Sequence, residues 1–355
     1  MTPNLWSLID ADRLNSSNTI ELYGKYISPG QVDLLKNFDF GLEKAVSAEG
    51  CWIQLDSKKR ILDMTGGFGV LNHGHNHNRI IAARKWVSEQ QYLETNRLYF
   101  SRFVAALAAN IAELLPADLN VSYFPNSGAE ANEGALKLAF KYHEGKRSVV
   151  LHAKNSFHGK LIATSSISDS PEVDFSYQHI PDVDVFDADD INDIRSAFDR
   201  NNNKHGNSNV YAIILEPFST SLCLARKEEV LRTLRTICDQ TGAILIFDEV
   251  YSGWGRCGSL FYFMNFQHLI PDIVTYSKSF GRGKASISGY TTRSPIYKGA
   301  YGKPTDSLLH SSTYFGFGEE TVTALEAINI IHEDNYPKRA QDIGSLIRKQ
   351  FDELL

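Results

Sequence analysis

Residues 243–258, AILIFDEVYSGWGRCG, decide the fold class. An apolar run from Ala243 to Phe247 leads directly into Asp248 and Glu249. Such a run is typical of a strand that is buried on both faces of a parallel sheet. Carboxylates at the end of a buried strand are costly without a partner. They therefore indicate a site for a cationic ligand or a metal, unless this strand end faces solvent.

Further strands are predicted on both sides of this one, with helices between them. Residues 148–152, 211–215 and 273–277 are continuous apolar or β-branched runs. Helical patterns such as 128–143 and 228–241 separate these runs. The alternation predicts an α/β fold with a mostly parallel sheet, and it places ligand sites at the carboxyl ends of the strands.

Composition excludes several classes of protein. With 355 residues, 43% hydrophobic and 22% charged, the chain is expected to bury a large core in two or three structural units. A net charge of -6 argues against a generic nucleic-acid binder. Neither a signal peptide nor a membrane-spanning apolar stretch is present, and no two of the four cysteines form a CxxC pair. We therefore expect a cytoplasmic protein without nucleic-acid or membrane partners.

A lysine follows the strand predicted at 273–277. If Lys278 lies in a cleft at the tip of a buried strand, it loses solvation and becomes a nucleophilic amine. The alternative is a surface lysine in a loop. Residues 281–286, GRGKAS, are not a phosphate-binding P-loop, because that motif needs glycine at position 278 and Ser or Thr at 285.

Two more strand ends carry polar or aromatic residues. In NSG, at 126–128, small residues open a helix whose N–H groups either bind an anion or are simply capped by Ser127. In NSFHG, at 155–159, Phe157 and His158 form either one wall of a pocket for a planar ring or an ordinary buried aromatic cluster.

Three alternating histidines form a competing candidate site. His73, His75 and His77 are residue types that bind zinc or copper. The surrounding Asn and Gly residues predict a turn, in which the ring directions are not fixed. We therefore expect no metal site there.

Taken together, these segments resemble the class III aminotransferases, which use pyridoxal 5′-phosphate (PLP) and have fold type I. The resemblance begins near Gly50 and covers most of the chain. It implies an N-terminal segment at 1–60, a large PLP-binding domain at 61–318, and at 319–355 a connecting helix with the start of an incomplete small domain. Because family members continue beyond that point, we expect the chain to be a C-terminally truncated fragment. The matching segments, in order, are the stretch from Gly50, NSGAEANEGALKLA, SFHG, IILEP, ILIFDEVYSGWGRCG, PDIVTYSKSFGRG and HSSTYFG.

The resemblance implies a role for each matching residue. Lys278 matches the lysine that holds PLP covalently as a Schiff base and later moves the proton at the substrate Cα. Asp248 matches the carboxylate that pairs with the pyridine nitrogen and keeps the ring an electron sink. Thr313 matches the residue that reaches the phosphate of the neighbouring subunit, which implies a homodimer. The other cofactor-binding matches are Ser127, Gly128 and Ala129 in the phosphate cup, Phe157 and Val250 on the two ring faces, His158 beside Phe157, and Glu216 in the cofactor pocket.

Some positions differ from the family pattern. Ala129 stands where many relatives have Ser or Thr, which removes a hydroxyl donor to the phosphate. Tyr251 replaces a frequent glutamine. After Glu216 and Pro217 the chain reads FSTSLCL, without the usual Gln-Gly and Gly-Gly run, so contacts to the substrate are expected to differ there.

The implied activity is transfer of an amino group from an amino donor to an aldehyde or keto acceptor. An aminomutase, a racemase or a decarboxylase would share the fold and the cofactor site, because substrate orientation sets the outcome. Two alternatives from other classes are a metal-dependent hydrolase, built on the three histidines and the Asp248–Glu249 pair, and a non-catalytic scaffold. The presence of both Lys278 and Asp248 argues against a scaffold.

Overall fold

The computed structural model describes residues 5–93, 98–170, 180–316 and 318–354. The chain divides into two compact units. The first contains the residues up to Gly66 together with His73–His77, and the second contains Gly67–Asn72 and the residues from Asn78 onward. The boundaries that the sequence suggested after residues 60 and 318 stay predictions.

The first unit contains three short helices and a small antiparallel sheet. Each helix is preceded by a capping residue whose side chain accepts a hydrogen bond from a backbone N–H of the first turn. The three caps are Ser7, Asn15 and Ser28. The three strands pair in chain order. The elements are α1 (Leu8–Asp12), α2 (Ser16–Tyr26), α3 (Pro29–Asn37), β1 (Ala45–Glu49), β2 (Trp52–Leu55) and β3 (Arg60–Leu62).

The second unit holds the large sheet and the helices around it. Its helices are α4 (Asn78–Glu89), α5 (Arg102–Leu114), α6 (Gly128–Tyr142), α7 (Ile162–Ser166), α8 (Ile191–Arg200), α9 (Glu228–Thr241), α10 (Ser294–Tyr301), α11 (Gly318–Glu333) and α12 (Tyr336–Asp352). Its strands are β4 (Leu119–Tyr123), β5 (Val149–Ala153), β6 (Val183–Phe186), β7 (Val210–Leu215), β8 (Phe218–Ser219), β9 (Leu224–Ala225), β10 (Ile244–Asp248), β11 (Ile273–Tyr276) and β12 (Gly289–Arg293).

Seven strands form the large sheet, in the order β4-β12-β11-β10-β7-β5-β6. The five strands from β11 to β6 run parallel, whereas β12 is antiparallel to both of its neighbours. The prediction of a mostly parallel sheet is therefore confirmed. The predicted strands begin and end within a residue of their observed bounds.

Both faces of the sheet are buried, which explains the continuous apolar runs. In β10, Leu245 and Phe247 belong to one core cluster, and Ile244 and Ile246 belong to the other. Successive side chains of a strand point to opposite faces, so a strand covered on both sides is apolar or β-branched at most of its positions. Helices α5, α8 and α9 pack into the first cluster, and α6 and α10 pack into the second.

None of the helices in the described part of the chain is both long and apolar enough to cross a bilayer. The four cysteines, Cys51, Cys223, Cys238 and Cys257, are all free thiols.

His152 in β5 makes the fold sensitive to acid. Its side chain is buried (6% exposed), and burial, reinforced by the nearby His158, lowers its pKa to about 4. The unfolded chain binds a proton at His152 more readily than the folded chain does. The stability contributed by the neutral ring is therefore complete above about pH 6.5 and is lost as the pH falls through 4. Between pH 7 and pH 4.5, we expect the unfolding free energy of the wild type to fall by about 2 kcal/mol more than that of His152→Leu, because the variant has no imidazole to protonate.

Urea denaturation at both pH values measures this effect. His205→Leu, in the exposed loop at 201–209, is the matched control and should leave the pH dependence unchanged. If the two variants show the same pH dependence, the neutral form of His152 does not contribute to stability.

Candidate active site

The parallel strands β5, β7, β10 and β11 end at one edge of the large sheet. Asp248 is the last residue of β10, and the loop at 155–159, Glu216 and Lys278 follow the ends of β5, β7 and β11. The start of α6 lies at the same edge, since a Cβ atom added at Gly128 would come within 3.0 Å of Val250 and 3.3 Å of Ser277. Residues that are far apart in the chain therefore form one site.

Asp248 is buried (3% exposed) and accepts several hydrogen bonds. Its Oδ2 lies 2.7 Å from His158 Nδ1 and 2.7 Å from Asn132 Nδ2. Its Oδ1 accepts a 2.9 Å bond from the Val250 N–H. An ionised carboxylate only accepts hydrogen bonds, so the His158 contact requires the ring proton to be on Nδ1. The alternative of a solvent-facing strand end is wrong for this residue.

Glu216 orders the two loops that follow β5 and β7. Its Oε2 accepts a 3.0 Å bond from the Phe157 N–H, and its Oε1 accepts from both the N–H and the hydroxyl of Thr220. Burial raises the pKa of this carboxyl, while His158 opposes that rise. Thr220 lies in the segment that differs from the family pattern, and it supplies two of the bonds that hold Glu216 in place.

Lys278 lies two residues after the end of β11, and its side chain is half-buried. Its backbone φ of 45° lies in the left-handed region, which is strained for a residue other than glycine. The Nζ atom donates a 3.0 Å bond to the Phe68 carbonyl oxygen and lies 5.1 Å from the centre of the Tyr251 ring. The amine is thus held at the end of a buried strand, beside an aromatic face.

The N-terminus of α6 combines a cap with open donors. The Ser127 hydroxyl accepts a 3.2 Å bond from the Glu130 N–H, and Glu130 accepts bonds from the N–H groups of Asn126 and Ser127. Among the described residues, none accepts a hydrogen bond from the N–H groups of Gly128 or Ala129. The interpretation of Ser127 as a helix cap is therefore confirmed, and anion binding by the two remaining N–H groups stays a prediction.

Two glycines allow the parts of the site to approach closely. A Cβ atom at Gly128 would lie 3.0 and 3.1 Å from the two γ-carbons of Val250. A Cβ atom at Gly159 would lie only 2.5 Å from the Cβ of Ala129. The small side chain of Ala129 therefore lies close to the backbone of the loop after β5.

Phe157 and Thr313 are more accessible than Asp248. Phe157 is half-buried, and Lys160 Nζ lies 5.9 Å from the centre of its ring. Thr313 lies in an exposed turn between α10 and α11.

The sequence did not single out Arg256, which connects three segments near Lys278. Its Nε donates a 3.0 Å bond to the Tyr251 carbonyl, and its Nη2 donates to Gly69 O and to Asn72 Oδ1. The guanidinium also lies 4.9 Å from the centre of the Tyr251 ring. A cleft of about 1030 Å³ opens beside Tyr251 and Arg256, between the loop after β10 and α12. The sequence feature that could have drawn attention to Arg256 is its position as an arginine inside the glycine-rich stretch 253–258.

Glu249 has a structural environment of its own. It is fully buried and accepts bonds from the Ser252 hydroxyl at 2.6 Å and from the N–H groups of Tyr262 and Phe263 at 2.8 and 2.9 Å. Burial raises its pKa to about 7. Glu249 thus anchors the loop at 249–263, and the two adjacent carboxylates do not act as a pair.

The three histidines, in the first unit, do not converge. His75 Nε2 lies 2.9 Å from Asp63 Oδ2, and the rings of His73 and His77 meet edge to face at 6.0 Å. Within the described ranges, no three His, Cys, Asp or Glu side chains are placed to hold a metal ion. The structure therefore lends no support to a metal-dependent hydrolase.

Comparison with known proteins gives one family match. The model of the family described as aminotransferase class-III matches residues 41–355. Among solved structures, an (S)-enantioselective omega-transaminase from Thermomicrobium roseum is 23% identical, with a TM-score of 0.84 over 99% of this chain and 80% of that one. The ornithine aminotransferase from Toxoplasma gondii gives the same identity and TM-score, over 99% and 81%. An omega transaminase from Pseudomonas jessenii in complex with PMP is 22% identical, with a TM-score of 0.82 over 91% and 76%.

Proposed function

The chain belongs to the class-III aminotransferases, and from this membership we propose that PLP binds at the carboxyl edge of the large sheet, with Lys278 as its covalent anchor. The predictions of a PLP-dependent aminotransferase and of fold type I are confirmed. The substrates are a small-molecule amino donor and a carbonyl acceptor. Neither the family match nor the solved structures favour an aminomutase, a racemase or a decarboxylase.

One observation carries the proposed site. A buried carboxylate at Asp248, an amine at Lys278 and the two open N–H groups of α6 all lie at one sheet edge. PLP has three matching groups, which are a basic ring nitrogen, an aldehyde and a phosphate. When bound, PLP supplies an electron sink for negative charge at the substrate Cα.

The residues present fit the cofactor in charge and in hydrogen-bonding capacity. Helix N-termini favour phosphate, so Gly128 and Ala129 hold it through their N–H groups, with Ser127 beside them. Asp248 would pair with the ring nitrogen, because its carboxylate is buried and oriented by its own donors. Phe157 and Val250 would cover the two ring faces, while His158 and Glu216 hold the surrounding loops.

Lys278 has two tasks in this proposal. When PLP is bound, Lys278 would be the residue that holds it covalently, through Nζ. As a free amine, the same Nζ would be the base that moves the proton at the substrate Cα. The Phe68 carbonyl and the Tyr251 ring hold the amine in place between these tasks.

Borohydride reduction of the protein with PLP, followed by peptide mapping, tests the site. We expect an absorbance band in the visible range and, after reduction, a pyridoxyl group on Lys278. The exposed Lys284, six residues along the chain, should stay unlabelled. A label on another lysine, or no label, would mean that the cofactor site is misplaced.

A second readout separates transamination from the alternatives. An amino donor should convert the bound cofactor to its pyridoxamine form, and a keto acid should reverse that change. Release of carbon dioxide, or racemisation without a keto acid, would instead indicate a decarboxylase or a racemase.

We also propose that the chain forms a homodimer in which Thr313 reaches the partner's cofactor phosphate. Phe68, Leu98, Tyr99 and Phe100 are large apolar residues exposed on the second unit. Large apolar side chains exposed in this way are compatible with an interaction surface. Sedimentation equilibrium should give twice the chain mass of 39.8 kDa, and a monomer mass at micromolar concentration would contradict the proposal.

We further propose a cytoplasmic location. The free thiols of the four cysteines fit a reducing compartment. Localisation of a tagged chain by fluorescence microscopy tests this proposal.

A further inference from the structure

Asn132 is a buried polar residue that the proposed roles leave unused. It is the fifth residue of α6 and is 1% exposed. The nearby buried positions of this helix, Ala131, Ala135 and Leu136, are apolar. A buried amide is costly unless all of its hydrogen-bonding groups are satisfied, so its presence here calls for specific partners.

The Asn132 amide is fully used, and one of its partners is Asp248. Its Nδ2 donates a 2.7 Å bond to Asp248 Oδ2 and a 2.9 Å bond to the His158 carbonyl oxygen. Its Oδ1 accepts a 2.6 Å bond from the Thr275 hydroxyl. One amide thus links α6 to the ends of β10 and β11 and to the loop after β5.

Thr275 determines where this amide sits. The residue is fully buried in β11 and is the in-register partner of Asp248 on β10. Its hydroxyl holds Oδ1 from one side, while the two acceptors on the other side require the NH2 end to face them. The amide is therefore held in one orientation, with a donor directed at the carboxylate.

We propose that Asn132, held by Thr275, is a positioning residue that orients the Asp248 carboxylate toward the ring nitrogen of PLP. This inference rests on the cofactor site proposed above. Without Asn132, the carboxylate keeps His158 at Oδ2 and the Val250 N–H at Oδ1 but loses one of the three hydrogen bonds that fix its orientation. Hydrogen bonds to charged groups are stronger than those between neutral groups. Loss of the Asn132 bond should therefore weaken the interaction of Asp248 with the ring nitrogen.

The test compares PLP with its 1-deaza analogue, in which a C–H group replaces the ring nitrogen. Affinities for both compounds are measured by absorbance and fluorescence titration of the wild type and of Asn132→Leu. We expect Asn132→Leu to weaken PLP binding about 10- to 100-fold. The affinity for the analogue should differ by less than about threefold between the wild type and Asn132→Leu, because the analogue has no ring nitrogen to interact with Asp248.

Thr275 provides a second pair of variants in case Asn132→Leu does not fold. Thr275→Val has nearly the same shape but lacks the hydroxyl, so it should also lose part of the preference for PLP. Thr275→Ser restores the hydroxyl and should restore the preference.

The outcomes separate the inference from the proposed function. If Asn132→Leu weakens both compounds equally, Asn132 has only a structural role, and this inference fails while the Asp248 assignment stands. If Thr275→Val and Thr275→Ser show the same preference for PLP over the analogue, the Thr275 hydroxyl does not help to position Asn132. If the wild type does not prefer PLP to the analogue, Asp248 does not meet the ring nitrogen, and both the assignment and the inference fail.

Discussion

Lys278→Ala is expected to abolish covalent capture of PLP and to lower transamination by roughly 10³-fold or more. The substitution removes both the nucleophile that anchors the cofactor and the base that moves the Cα proton. No other lysine is proposed for either task. The measurements are the visible absorbance of the protein with PLP and the rate of amino transfer to a keto acid.

Two controls separate chemistry from folding. Lys284→Ala removes an exposed lysine of the same loop and should leave absorbance and turnover unchanged. Added methylamine should partly restore proton transfer in Lys278→Ala, because a free amine can act as the missing base. Wild-type turnover in Lys278→Ala would show that another residue carries the chemistry.

The stability of Lys278→Ala should remain close to that of the wild type. The residue is half-buried and its backbone φ is 45°, a strained value that alanine adopts no more readily than lysine. The 3.0 Å bond from Nζ to the Phe68 carbonyl is lost, but water can replace it at this accessible position. Thermal melting therefore shows whether a loss of activity has a chemical or a structural origin.

The sheet was predictable because its physical cause is local. Strands covered on both faces need apolar or β-branched residues at nearly every position, and that pattern is visible at 244–247 and 273–276 without any tertiary information. Parallel strands then place the residues after them at one edge, so the positions of Asp248 and Lys278 at that edge followed from topology. Helix α9 was equally clear, because its apolar stripe and the glycine after Thr241 define its length.

The supporting contacts of the site were not predictable from local pattern. Asn132 lies 116 residues from Asp248, and Thr275 lies 143 residues from Asn132. Nothing in the helical sequence around Asn132 distinguishes a buried amide from an exposed one. Only the packing of α6 against the ends of β10 and β11 reveals its partners.

Asp248 and Glu249 illustrate the same limit within two residues. From the sequence, they formed one acidic pair at a strand end. In the structure, neighbouring residues point in different directions, so Asp248 meets His158 and Asn132 while Glu249 anchors the loop at 249–263. The direction of a side chain at a strand end depends on the elements packed there, which the sequence of the strand does not specify.

Asp248→Asn should lower transamination roughly 10²- to 10³-fold while leaving a folded protein that still captures PLP through Lys278. The substitution preserves shape but removes the negative charge that keeps the ring nitrogen protonated. Without a protonated nitrogen, the cofactor is a weaker electron sink, so the loss should fall on kcat more than on the KM of the amino donor. Steady-state kinetics and the absorbance of the bound cofactor measure both effects.

Glu249→Gln is the matched comparison, because it makes the same change from carboxyl to amide at the adjacent buried residue. Glu249 accepts three hydrogen bonds from its own loop, so we expect this variant to lower the melting temperature but to keep PLP absorbance and most of the turnover. These two isosteric changes at neighbouring residues should thus affect different quantities. Asp248→Asn should lower kcat, and Glu249→Gln should lower stability. If both variants lose activity in proportion to their stability, Asp248 is a structural carboxylate and the ring nitrogen has another partner.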